Sequence, residues 1–167
     1  MADFVAKSTV KSAERKLATP FASKEAMNTI ISAIITDNPW GCTSYTSGGE
    51  TLAAVQKTSE YYTGKIPYEN VQGKTVGQIS VKAGTAGAFD TNISTIVANT
   101  ALASAMGGTA SHDSSEDSFS VTLKCHTDTG ELYNVRFSRD AINVSSYEDD
   151  SILTTIETWA DGITALA

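Results

Sequence analysis

Between Phe119 and Phe137 apolar and polar residues change places at almost every step. Phe119, Val121, Leu123 and Cys125 alternate with Ser120, Thr122, Lys124 and His126; after an Asp128-Thr129-Gly130 turn, Tyr133, Val135 and Phe137 resume the rhythm. Successive side chains of a strand point to opposite faces, so a period of two demands a hairpin with one buried and one wetted face. On this reading Cys125 faces the core and His126 faces solvent. Past Ile142 and Val144, the residues Ile152, Leu153, Ile156, Trp159, Ala160, Ile163 and Leu166 fall at helical spacing. That stripe is the kind of surface that covers the apolar face of a sheet.

A looser copy of the same order precedes it. Thr63-Gly64-Lys65 reads as a turn, and Ile66-Pro67-Tyr68 as a run on an edge or at a bulge, because Pro67 cannot donate to a ladder. After a Gln72-Gly73-Lys74 turn, Val76 to Lys82 alternates with Ile79 and Val81 on one face, and a helix runs from about Asp90 to Met106. Another helix starts at the N-cap Ser23, carries Ala26, Met27, Ile30, Ile31, Ile34 and Ile35 as its stripe, and stops at Asp37-Asn38-Pro39. The expected fold is therefore α+β: antiparallel sheet with three amphipathic helices packed on it. Two β-β-α-like units stand in tandem, about 40–106 and 118–167, joined by an acidic loop at 107–117. Residues 1–20 show no helical stripe and end at Thr19-Pro20, which makes them an extended N-terminal arm ahead of a single domain at 21–167.

At 167 residues the chain can bury a core without needing a metal or disulfide. Its two cysteines read as buried thiols, able to bridge only if the fold brings their α-carbons within about 7 Å. Ser and Thr make up about a quarter of the residues, while charged residues are only 19%. Small hydroxyl side chains lose little entropy when immobilised, whereas a Lys or Glu loses about 1.5–2 kcal/mol. Such a surface suits close, permanent contact. The formal charge of −7 is unevenly placed: residues 1–20 hold Lys7, Lys11, Arg15 and Lys16 against Asp3 and Glu14, leaving a strongly acidic body. That balance argues against nucleic-acid binding. No run approaches the ~20 apolar residues of a membrane span, and charges interrupt every candidate signal-peptide core. The cytoplasm, or an assembled extracellular or virion structure, are the locations consistent with this.

No constellation of catalytic residues stands out. Gly73-Lys74-Thr75 lacks the upstream glycine of a phosphate loop, because position 68 is Tyr68, and a strand follows it rather than a helix. Cys125 and His126 point to opposite faces, so no zinc site is expected. Only His112 is placed to act as a base for a serine, and no Gly-x-Ser-x-Gly elbow singles out a nucleophile. The acidic groups at 113–117 and 148–150 lack calcium-loop spacing, and the second precedes a helix N-terminus that carboxylates stabilise. No catalytic residue, cofactor, metal or small-molecule ligand is expected.

These readings converge on a non-enzymatic, self-assembling structural subunit of filament, sheath or virus-tail tube type, its partners other copies of itself. Assembly would run through edge strands and the basic arm docked on a neighbour's acidic body, with Val5, Val10 and Leu17 as anchors and Lys7, Lys11, Arg15 and Lys16 as charged contacts. The alternative is a small monomeric or dimeric ligand-binding or accessory domain. It would use Trp40, Tyr61, Tyr62 and Tyr68 as an exposed aromatic patch.

Overall fold

A computed structural model of the chain describes residues 5–6, 11–126, 132–147 and 150–161, with the backbone alone for Val5, Ala6, Tyr45 and Ser47. In chain order the elements are β1 (Val5–Ala6), β2 (Ser12–Lys16), α1 (Lys24–Asp37), β3 (Tyr45–Ser47), β4 (Glu50–Leu52), β5 (Val55–Glu69) and β6 (Thr75–Ala83). Then come α2 (Ala86–Ala98), α3 (Thr100–Met106), β7 (Thr109–Ala110), a 3-10 turn at Ser114–Glu116, β8 (Ser118–His126), β9 (Leu132–Ser138), β10 (Ala141–Ser145) and α4 (Ser151–Asp161). The fold is α+β, with a mostly antiparallel sheet. It divides into two compact units: Met1–Ser59 with Ser120–Ala167, and Glu60–Phe119. The second unit is thus an insertion in the first. The expected tandem boundary at 107–117 gives way to breaks at 59/60 and 119/120.

In the first unit the strands follow the order β1-β2-β10-β9-β8, and β3 and β4 form a separate hairpin. Alternation does its work here: Val121, Leu123, Cys125, Tyr133, Val135, Phe137, Ile142 and Val144 are all buried. Burying a side chain of this size contributes ~1.5–3 kcal/mol. Ser23 caps α1 by accepting the Ala26 N–H at 3.1 Å, and Met27, Ile30, Ile31 and Ile34 form its buried stripe. Ile35 is half exposed instead. In α4, Ile156 and Ala160 are buried, while Ile163 and Leu166 lie outside the described residues. Trp40 stacks on Phe137 with ring centroids 6.4 Å apart and meets Trp159 edge-on at 5.3 Å. His126, expected in solvent, is buried. Other parts of the chain lie against it: the His126 N–H donates to Ala54 O at 3.0 Å and its carbonyl accepts from the Thr43 N–H at 3.0 Å, so the segments at 43 and 54 run along this end of β8.

The second unit is built on the β5–β6 hairpin, paired from Tyr62↔Ala83 to Glu69↔Thr75, with β7 on the other side of β5 at Tyr68 and Glu69. Pro67 sits inside this strand, next to the register shift between Tyr68 and Glu69. The single helix expected from Asp90 to Met106 is two. Thr85 caps α2 earlier, at Ala86, and Asn99 ends it at φ −80, ψ 95 while its side chain accepts from Leu102 to cap α3. Asn is a strong N-cap, and here that preference overrides the surrounding alanines. Four α-helices result among the described residues, not three.

Gly64 forms no turn. It lies in mid-strand because a Cβ there would stand 2.5 Å from Asp117 Oδ1 and 2.8 Å from Phe89 Cζ. The stretch 107–117, expected as a loose connector, is pinned within the same unit. His112 Nε2 lies 2.9 and 3.1 Å from the two carboxylate oxygens of the buried Asp117, and the Phe89 ring meets the imidazole edge-on at 6.3 Å.

Candidate functional site: an uncovered edge strand

The sites expected from sequence fare differently. Residues 12–16 are not a free arm: they are β2, paired with β10 of their own chain from Ser12↔Ser145 to Lys16↔Ala141. Ala13 is buried, and the buried Arg15 guanidinium pairs with Asp161 and donates to Glu157 O at 3.3 Å on α4. Lys11 faces Asp150 at 3.8 Å, Lys16 faces Asp140 at 3.9 Å, and the Leu17 N–H donates to Asp140 O at 2.8 Å. The basic segment therefore meets acidic partners, as its charge requires, but on its own chain, where β10 would otherwise present an open edge. Lys7 and Val10 lie outside the described residues, and of Val5 the backbone pairs with Glu14.

The exposed aromatic patch does not form. Trp40, Tyr62 and Tyr68 are 5%, 0% and 0% exposed, core residues of their units, and Tyr61 alone is open at 47%. In β5 this follows from the pleat: Tyr62, Gly64, Ile66 and Tyr68 share the buried face, and Tyr61 takes the other.

His112, the base considered from the sequence, faces an acidic partner. Its Nε2 is committed to Asp117, and Ser115 in the same turn gives its hydroxyl to Asp113 at 2.6 Å. Among the described residues no group of three His, Cys, Asp or Glu side chains converges as a metal site does. No described helix is long and apolar enough to cross a membrane.

What remains is a surface. Strand β6, Thr75-Val-Gly-Gln-Ile-Ser-Val-Lys-Ala, ends the strand order with β5 as its one strand partner among the described residues. Its inward positions are set by packing: Val81 is buried, Ile79 half-buried, and Gly77 leaves room for Met106, whose Cε would lie 2.7 Å from a Cβ at that position. The alternate residues Val76, Gln78, Ser80 and Lys82 are exposed. The turn before it is fixed by Asn70, whose side chain accepts from the Gln72 and Lys74 N–H groups at 3.0 Å each, and by Gly73 at φ 77. Val71 at that tip is 96% exposed and Val76 44%.

Four of the six large apolar side chains exposed among the described residues, namely Tyr61, Val71, Val76 and Val97, belong to this unit. Open edges are normally blunted by charge, proline or brevity. Strand β6 has nine residues, no proline, and a single charge at Lys82, near its end. By contrast the first unit's strand order ends in the two-residue β1.

Beside this edge, Thr63, Lys65, Ser80, Lys82, Glu116 and Ser118 line an open depression of about 400 Å³. Its lining carries two ammonium groups, one carboxylate and three hydroxyls, with Gly64 and Val81 between them. Sequence alternation marked β6 as a strand but carried no sign that its outer edge was open, because that depends on which strands pair. No family model, curated protein or solved structure matches the chain.

Proposed function

We propose that the chain is a non-catalytic structural subunit that self-assembles into a regular polymer of filament, sheath or virus-tail tube type, with the edge of β6 as a principal contact. The observation that carries this reading is the nine-residue, almost uncharged edge strand, with exposed Val76 on it and exposed Val71 at the turn before it. An open row of backbone donors and acceptors gains most by pairing with another chain. The hydroxyl-rich surface adds to it, since Ser and Thr give up little freedom in a permanent contact. Because residues 12–16 are held on their own β10, the N-terminal segment contributes no docking arm over that stretch in this reading. For growth to continue, β6 meets a different surface on the next copy; a contact of β6 with itself would close at a dimer.

Light scattering and negative-stain microscopy on the native protein test the class, and Val76→Lys with Ser80→Lys tests the strand. Both positions are exposed, so the charges leave the monomer folded and place gatekeepers on the edge. Polymers in the wild type and folded monomers in the double variant are expected. A wild type that stays monomeric at all concentrations, or a variant that polymerises equally well, would refute the proposal.

A further inference from the structure

The chain's two cysteines, 83 positions apart in sequence, meet in the first unit. Helix α1 ends at Asn38 in the left-handed region (φ 48), and the Asn38 side chain clasps the Cys42 backbone, accepting its N–H at 2.9 Å and donating to its carbonyl. The next residue, Thr43, donates to the carbonyl of His126 at 3.0 Å, which fastens this segment alongside the end of β8. On β8, Cys125 stands directly opposite Tyr133 of β9. The Tyr133 hydroxyl lies 3.1 Å from Cys42 Sγ, so Tyr133 stands next to both cysteines, touching one and pairing across the strands with the other. Both are free and buried.

We propose that Cys42 and Cys125 form a redox-modified dithiol, joined by exchange with a small-molecule disulfide such as oxidised glutathione. Cys42 is the attacking group. It sits in a short irregular segment whose neighbours Gly41, Thr43 and Ser44 are exposed, so a local opening presents it. The Cys125 hydrogen bond draws its thiol down to about 7, and the Tyr133 hydroxyl supports the same thiolate. Cys125 is pushed the other way, first by its bond to Cys42, then by burial and by the charge of the Cys42 thiolate.

The steps balance. The Cys42 thiolate attacks one sulfur of the small disulfide, that S–S bond breaks, and one small thiolate leaves. With Cys42 capped, the negative charge facing Cys125 is gone; Cys125 loses its proton to solvent and attacks Cys42 Sγ, expelling the second small thiolate. The protein dithiol is oxidised by two electrons and the small disulfide is reduced to two thiols.

Reduced protein incubated natively across ratios of oxidised to reduced glutathione, then acid-quenched, unfolded and labelled with a maleimide, reports the outcome by mass. Both thiols of the wild type are expected to disappear together in a monomer lighter by two hydrogens. Cys125→Ser should stop at a glutathione adduct on Cys42, and Cys42→Ser should react about tenfold more slowly or worse. The wild-type rate should rise through pH 7 and level off above it. Two thiols persisting under oxidising ratios, links between chains only, or equal reactivity of the two variants would overturn the proposal. The thiol count on native wild type decides it even if a variant fails to fold.

Discussion

Gly64→Ala is the most sensitive test of how the second unit is built. The added methyl would stand 2.5 Å from Asp117 Oδ1, 3.3 Å from its Cγ and 2.8 Å from Phe89 Cζ. Contacts between carbon and its neighbours are comfortable only near 3.5 Å, so the carboxylate and the ring must each retreat by the better part of an ångström. Neither is free to do so. Phe89 is wholly buried, and Asp117 is held by His112 at 2.9 and 3.1 Å. Overpacking costs about 1–3 kcal/mol, and weakening a hydrogen bond to a charged group costs up to about 1.5–3 kcal/mol. Relief of the glycine's backbone entropy returns about 0.5–1 kcal/mol. The net expectation is a loss of about 3 kcal/mol, or roughly 10 °C in the unfolding midpoint. Thermal and urea unfolding followed by circular dichroism measure it. Gly84→Ala is the control, since nothing lies within 4 Å of a Cβ there, and it should stay within about 0.5 kcal/mol of wild type. Adding Phe89→Leu to Gly64→Ala removes one of the clashing atoms, so the pair should cost at least about 0.5 kcal/mol less than the sum of the single changes. If Gly64→Ala is as stable as wild type, the close approach of the 112–117 segment to β5 is wrong.

Other expectations follow from buried polar groups. The Tyr68 hydroxyl is buried without a hydrogen-bond partner among the described residues, so Tyr68→Phe should be neutral or stabilising by up to about 1 kcal/mol in urea unfolding. Arg15→Leu leaves Asp161 and the Glu157 carbonyl without their cation, and a loss of about 2 kcal/mol is expected by the same assay. Burial, with a smaller contribution from the charge of Lys124, holds the His126 imidazole below its ordinary value of 6.5. As pH falls below that value the unfolded chain takes up a proton that the fold resists, so stability declines toward acid. His126→Gln should flatten the decline between about pH 7 and 5, as seen by unfolding midpoints across that range.

The elements with strong periodicity were legible in the sequence. The buried faces of β8 and β9, the α1 stripe and its Ser23 cap follow from residue order alone, because local geometry decides which side chains share a face. What depended on distant partners was not legible. Gly64, flanked by Thr and Lys, looks like a turn glycine, and only the arrival of Asp117 and Phe89 shows that it is there for clearance. Asn99 competes as a cap with an alanine-rich run that favours continuing the helix, and a stripe count does not weigh the two. The basic residues 11–16 read as an arm for a neighbour because charge complementarity does not say whose carboxylates are met. The tyrosines of β5 follow the same rule: Tyr61 and Tyr62 are adjacent letters on opposite faces.

Strand β2 also imposes an order on biosynthesis. Arg15 and Asp161 stand 146 residues apart, so residues 12–16 leave the ribosome long before their strand and helix partners exist. The stretch 60–119 is complete by then, since every element of its hairpin and helices precedes β9 and β10. At about 5–20 residues per second the early segment waits about 7–30 s for its place, and pairing at such separation is intrinsically slow. The inserted unit is therefore free to mature first, and the other one closes only once β10 and α4 have been translated.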